Sequence, residues 1–289
     1  MQYEGIVIRP PSEADSLILQ ATFGCSHNKC TFCPTYKGTK FRIKDIDRFR
    51  ADVDEMARYP WRRVFLGDGD ALIMPQRELL ARLEILRERL AGIERVGIYG
   101  NAKAILRKTP EELAELRDAG LGIVYFGLES GDQDTLDFIA KGQPVERKIE
   151  AGRRVRDEGL LLSATVLLGI ARPGRGAIHA EETGRVLTAI DPDFVGALTV
   201  MVVPGTPLWD LQERGAYAVP EAFDLLAELH VMLRATSMSA GMFMSNHASN
   251  YLPVRVRMPR EKDAALTAIR RVIDERDASA LKPEYLRAL

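Results

Sequence analysis

Apolar residues recur along the chain in two alternating rhythms. Six short runs, at residues 16–23, 63–66, 95–99, 122–127, 160–168 and 193–200, are rich in Val, Ile, Leu, Phe or Tyr without strict polar alternation. That is the pattern of strands covered on both faces, as in a parallel sheet. Between them, apolar positions fall at three- and four-residue steps, the spacing of one helix face. Ile46, Phe49, Val53 and Met56 predict a helix over residues 45–58. It stops before Tyr59-Pro60, because a proline disfavours the helical conformation in the residue before it. Leu79, Leu80, Leu83, Leu86 and Leu90 mark the next helix. Thr109-Pro110-Glu111-Glu112 opens a third, with a capping hydroxyl, a proline at the first helical position and acidic side chains where the helix dipole favours them. Residues 133–140, 146–158 and 178–190 fill the remaining gaps between strands.

Repeated strand–helix units with right-handed crossovers give parallel strands. No Gly/Pro-rich linker divides the six units. The expected fold class is therefore α/β: a partial (β/α)6 barrel of the TIM type over residues 1–210, with residues 211–289 as a C-terminal helical extension packed on it. In that extension residues 220–232 and 262–277 read as helices. Met238, Ala240, Met242 and Met244 alternate, as in a short extended segment with its methionines on one face. That stripe reads as core packing rather than as a set of sulfur ligands.

Composition narrows the picture. Hydrophobic residues make up 46% of the chain, enough for a sizeable core, so wholesale disorder is excluded. No apolar run approaches the ~18 residues of a membrane span. The opening residues 1–16 lack the basic start and apolar stretch of an export signal, so a cytoplasmic protein without a membrane partner is expected. Forty Lys and Arg balance 41 Asp and Glu for a net charge of −1, and a nucleic-acid partner is not expected on that ground.

The cysteines carry more. There are three, Cys25, Cys30 and Cys33, all within nine residues directly after the first strand. An odd, clustered set argues against a disulfide scaffold and for a metal or cluster site. In a parallel barrel the loops after the strand C-termini build the active site, which places the thiolates at its mouth. Three thiolates can hold three irons of a [4Fe–4S] cube and leave the fourth open to an exogenous chelate. The same loop also admits a zinc held by the three thiolates and His27, although one short loop wraps four ligands around a small ion only awkwardly.

With Phe32 just before the third cysteine, the loop resembles the signature of the radical S-adenosylmethionine (radical SAM) superfamily. Four residues separate Cys25 from Cys30, one more than in the commonest pattern and similar to some subfamilies. Gly67-Asp68-Gly69-Asp70, after the second strand, resembles the Gly-Gly-acidic motif that receives the methionine amine. The resemblance implies Gly69 and Asp70 as cofactor-binding residues, with Asp68 in reserve. Glycines allow close backbone approach, and a carboxylate or carbonyl accepts from an ammonium. Gly127-Leu128-Glu129-Ser130-Gly131 closes the fourth strand. It is similar to the corresponding motif of oxygen-independent coproporphyrinogen oxidases, methylthiotransferases and elongator-type catalytic subunits, which implies that Glu129 reaches the cofactor. Lys141, in Ile139-Ala140-Lys141-Gly142, matches a basic position that pairs with the methionine carboxylate; its alternative is a surface lysine at a helix C-terminus. Thr165, on the fifth strand, matches a ribose contact, with an ordinary β-branched strand residue as the alternative. Val203-Pro204-Gly205-Thr206-Pro207 is similar to a loop of methylthiotransferase-like members.

The resemblance implies an enzyme with a [4Fe–4S] cluster and S-adenosylmethionine as cofactors and a reductant such as flavodoxin or ferredoxin as partner. The reduced cluster would donate one electron to the sulfonium, and the resulting 5′-deoxyadenosyl radical would take a hydrogen atom from substrate. The substrate is unidentified. The absence of a cobalamin-binding region and of further cysteines argues against the cobalamin-dependent and multi-cluster branches, and no separate RNA-binding domain is evident, so a small molecule is expected. The basic stretch at residues 37–44 suits an anionic substrate or a solvated loop. Outside the strands, residues 245–253 concentrate a His, two Asn, two Ser and a Tyr. If this segment folds over the barrel mouth, His247 and Tyr251 are the catalytic candidates, with Asn250 beside them; the alternative is a capped turn leading into Pro253. Tyr99 and Asn101, at the end of the third strand, are further pocket candidates. Two other functions remain open: a radical enzyme acting on tRNA, and a zinc-binding barrel in which Cys25, Cys30, Cys33 and His27 are structural.

Overall fold

The computed structural model describes residue 1 and residues 3–288. In chain order its elements are β1 (Leu17–Gln20), β2 (Thr22–Phe23), β3 (Arg42–Ile43), α1 (Ile46–Met56), β4 (Arg63–Gly67), α2 (Gln76–Arg89), β5 (Arg95–Tyr99), α3 (Ala102–Leu106), α4 (Pro110–Asp118), β6 (Leu121–Glu129), α5 (Gln133–Phe138), α6 (Val145–Asp157), β7 (Leu161–Leu168), α7 (Gly176–Ile190), β8 (Phe194–Thr199), α8 (Pro207–Glu213), α9 (Ala222–Ala235), β9 (Met242–Met244), β10 (Arg255–Arg257) and α10 (Lys262–Glu275). Each of the six apolar runs contains a strand, and the fold is α/β with mostly parallel pairing. Among the described residues no helix is long and apolar enough to cross a membrane.

The chain forms two compact units. The first comprises Met1–Asn28, Thr35–Phe126 and Glu150–Leu162; the second comprises Lys29–Pro34, Gly127–Ile149 and Ser163–Leu289. Strands β6 and β7 each begin in the first unit and end in the second.

In the first unit β1 pairs parallel with β4, β4 with β5, and β5 with β6. The rings of Phe65, Tyr99 and Tyr125 pack edge-on, with centroids 4.8 to 6.1 Å apart, the arrangement their quadrupoles favour. The helices start where their caps are. Asp45 accepts from the Asp47 and Arg48 amides at 3.1 Å, and Thr109 and Glu112 form a reciprocal capping box at the head of α4.

In the second unit β7 pairs parallel with β8, β8 parallel with β9, and β9 antiparallel with β10. The extension is thus not purely helical: it contributes two strands as well as helices. The alternation at Met242 and Met244 is real, but the face it buries is the other one. Phe243 is wholly buried opposite Val195, and both methionines are half-buried. The core of this unit gathers Leu136, Ile139, Leu167, Ile170, Leu208 and Tyr217, and Phe32 of the cysteine loop packs against it. Helices α7 and α9 touch at Gly184, where a Cβ would fall 2.5 Å from that of Ala235.

Candidate functional site

In the first unit the cysteine loop meets the turn that follows β4. The Cys25 thiol lies 3.9 Å from the Gly69 carbonyl, and the Ser26 hydroxyl donates to the Asp70 carboxylate. Gly69 permits this approach: a Cβ there would sit 2.4 Å from the Tyr36 ring and 3.1 Å from the Cys25 Cβ. Asp70 is fully buried. Its two oxygens also accept from the Asn101 backbone at 3.0 Å and the Asn101 side chain at 2.7 Å. Asn101 in turn caps α3 through its Oδ1, accepting from the Ala104 amide at 2.9 Å. Asp70 therefore ties the cysteine loop, the β4 turn and the end of β5 together, and the Gly69 carbonyl is the acceptor beside the thiol.

Asp68, in the same turn, is only 1% exposed. Its carboxylate accepts from Gln20 at 2.7 Å and from the Tyr36 hydroxyl at 3.4 Å. Burial outweighs both hydrogen bonds and pushes its pKa up to about 6. Burial also raises the Tyr99 hydroxyl, and nearby Tyr125 and Asp68 add to the effect.

The rest of the cysteine loop belongs to the second unit. Cys30 is buried and Cys33 half-buried, and none of the three cysteines forms a disulfide. The Thr31 amide donates to Ile139 at the end of α5, and its carbonyl accepts from Leu208 at the start of α8, both at 3.0 Å. Nearby, Glu129 ends β6 in left-handed backbone, φ +64°. Its carboxylate pairs with Lys141 at 2.7 Å. That pair lies across Gly127, where a Cβ would fall 2.5 Å from the Glu129 Oε1 and 2.8 Å from the Lys141 Nζ. Lys141 follows Ala140, another left-handed residue at φ +52°, and its amide closes α5 on Leu136 at 2.9 Å. Glu129 and Lys141, singled out separately in the sequence, are thus one ion pair.

The sequence pattern does not reveal a third member. Lys148 of α6 is 2% exposed, and its ammonium donates to the Leu128 carbonyl at 3.3 Å. Burial and the neighbouring Lys141 charge lower its pKa to about 7, while Glu129 and Cys30 oppose the fall. It sits in a charged run, but in phase with the buried Ala151 and Val155, and that phase is the one signal of its burial.

Thr165 is half-buried on β7, between the buried Ala164 and Val166 and on the face of Ser163. The segment at residues 245–253 is laced to the end of β8. Asn250 donates to the Ala197 carbonyl and accepts from the Thr199 hydroxyl, both at 2.8 Å, and the Ser249 hydroxyl accepts from the Thr199 amide at 3.2 Å. His247 Nδ1 lies 2.9 Å from the Ser249 hydroxyl; burial and Lys282 lower its pKa. The Tyr251 hydroxyl donates to Glu284 and accepts from Arg287 at 2.6 Å. Burial and the Glu284 hydrogen bond push it up to about 12.

Three thiols on one polar loop, none in a disulfide, suit a cluster in which each thiolate takes its own iron. Among the described residues no three His, Cys, Asp or Glu side chains converge as ligands of a single ion. Residues 19–183 match the radical SAM superfamily. The chain belongs to the radical SAM superfamily. This radical SAM enzyme has the cofactors of its family, a [4Fe–4S] cluster and S-adenosylmethionine. It is 24% identical over 197 residues to an uncharacterized methyltransferase of Pyrococcus horikoshii, covering 67% of this chain and 41% of that one. Its fold is similar to that of methylornithine synthase (PylB), with a TM-score of 0.55 at 17% identity over 77% of this chain and 63% of the other. It is equally similar to coproporphyrinogen III oxidase (HemN) of Escherichia coli, with a TM-score of 0.55 at 16% identity over 76% and 52%. The chain spans about half the length of the curated relatives it matches.

Proposed function

We propose that this radical SAM enzyme cleaves S-adenosylmethionine reductively and directs hydrogen abstraction at a small-molecule substrate in the cytoplasm, drawing its electron from a flavodoxin or ferredoxin. The observation that carries the reading is the meeting of the Cys25 loop with the Gly69 carbonyl across the β4 turn. Cys25, Cys30 and Cys33 would hold the cluster. When bound and reduced, it would supply one electron to the sulfonium, whose S–C5′ bond would break to leave methionine and a 5′-deoxyadenosyl radical able to take hydrogen from substrate.

The residues of the chain bind and orient. The Gly69 carbonyl offers an acceptor to the methionine ammonium, and Lys141 a cation to its carboxylate. Glu129, fixed by Lys141, presents a second carboxylate oxygen for hydroxyl donors, and Thr165 a hydroxyl on β7. The loop at 245–253, held to β8 by Asn250 and Ser249, offers polar groups of the kind that orient a small substrate.

Anaerobic reconstitution tests the reading. The expected outcome is about four irons and four sulfides per chain, with 5′-deoxyadenosine formed after reduction with dithionite. A colourless protein holding one zinc and inert toward S-adenosylmethionine overturns it.

A further inference from the structure

Behind the Glu129–Lys141 pair, wholly inside the second unit, lies a buried polar chain with no part in the chemistry so far. Ser130, His179 and Thr183 have no solvent exposure, and Glu228 has 5%. The Ser130 hydroxyl is 2.7 Å from His179 Nδ1, and His179 Nε2 is 2.9 Å from the Leu167 carbonyl on β7. A carbonyl only accepts, so Nε2 carries the hydrogen. In the neutral ring Nδ1 is then the acceptor, and Ser130 donates to it. Glu228 of α9 lies 3.4 Å from the same Nε2 and accepts the Gly169 amide at 2.7 Å. The Gly169 carbonyl is taken by the Tyr217 hydroxyl at 2.7 Å. One residue beyond Ser130, the Gly131 amide donates to Thr183 at 2.8 Å, and the Thr183 hydroxyl donates to the His179 carbonyl at 2.6 Å.

These bonds converge on the residues just after Glu129. A non-glycine side chain at φ +64° is held in a sparsely populated backbone region. Such a conformation persists only where its surroundings over-determine it. Lys141 on the Glu129 carboxylate and Lys148 on the Leu128 carbonyl constrain one side, and the next two residues, anchored to α7, constrain the other. The same imidazole grips the end of β7, the strand that carries Thr165.

We infer that His179 is a positioning residue: through Ser130 it holds Glu129 in the backbone conformation that presents its carboxylate, and Lys141 with it, to S-adenosylmethionine. This rests on the reading of Glu129 and Lys141 as cofactor-binding residues. A Ser–His–Glu series resembles a hydrolytic triad, but complete burial of the serine denies it a substrate, which leaves orientation as its work.

The test measures S-adenosylmethionine binding to the reconstituted protein by equilibrium dialysis, beside thermal unfolding and iron content. Ser130→Ala is expected to weaken binding about tenfold while iron content is kept, and Ser130→Thr to restore it. A Ser130→Ala protein that loses stability but binds as tightly as the parent overturns the inference and leaves the proposed function standing. A parent protein that does not bind S-adenosylmethionine overturns both. If Ser130→Ala does not fold, ¹⁵N chemical shifts of His179 in the parent decide. The inference expects the hydrogen on Nε2, with a Nδ1 shift that changes when S-adenosylmethionine is added; a hydrogen on Nδ1, or shifts that ignore the cofactor, overturns it.

Discussion

Two carboxylates, one in each unit, close parallel strands, and the molecule treats them differently. Glu129, at the end of β6, is buried against the ammonium of Lys141 at 2.7 Å. Asp68, just after β4, is buried against an amide and a phenol. Neutral donors do not offset the loss of water around a charge, so Asp68 holds its proton up to about pH 6. The ion pair instead fixes a charge in one geometry. One strand end keeps a carboxyl near neutrality; the other keeps a carboxylate aimed.

The largest expected effect comes from erasing that difference. Lys141→Met leaves Glu129 buried without its cation, and breaking such a pair typically costs about 3–5 kcal/mol. Urea unfolding should show that loss, and S-adenosylmethionine binding should weaken with it. The double substitution Glu129→Gln/Lys141→Met should recover much of the stability and none of the binding.

Asp68→Asn sharpens the contrast from the other side. The folded pKa of Asp68 lies above its ordinary value of 3.8. The folded state therefore binds the proton more tightly, and the parent loses stability as pH rises from about 4 through about 6. With allowance for solvent screening the loss is about 2 kcal/mol. An asparagine can offer its oxygen to Gln20 and its amide to the Tyr36 oxygen. The variant should match the parent near pH 4, exceed it at pH 8, and show a flatter stability profile between.

The smallest effect is steric. Gly127→Ala places a methyl into the Glu129–Lys141 pair and should cost about 1–2 kcal/mol, at the lower end for overpacking. Its signature is weaker cofactor binding out of proportion to the change in unfolding midpoint.

Some of this is legible in the sequence because the physics is local. Strands covered on both faces announce themselves by unbroken apolar runs, and α4 by its threonine, proline and glutamates. The same threonine–proline start opens α8, where Thr206 accepts from the Trp209 amide at 3.2 Å; in the sequence it passes for a loop, because Pro204-Gly205 immediately precedes it. Three-residue strands such as β9 and β10 have too few positions to show a period. Lys148 is hidden by the charges flanking it, although helical phase puts it with Ala151 and Val155. Ser130 and His179 are 49 residues apart, and nothing local announces that they meet. The cysteine loop is the most legible feature, since three thiols within nine residues, on a polar turn, point to a shared metal or cluster and to little else.

The backbone bonds of Thr31 have a consequence for how this loop can vary. Between Cys30 and Cys33 the chain is stitched on both sides, to Ile139 and to Leu208. An inserted residue there would break one bond or the other. Between Cys25 and Cys30 the chain passes from the first unit to the second through Asn28, itself in left-handed backbone at φ +43°. The anchors of this stretch are side chains, Ser26 on Asp70 and the Asn28 side-chain amide on the Tyr36 carbonyl at 2.7 Å. The two halves of the loop are therefore held differently: the step from Cys30 to Cys33 should keep its two-residue length among homologous chains, because both Thr31 backbone bonds depend on it, whereas Cys25 to Cys30 is held mainly through side chains and should be where length varies.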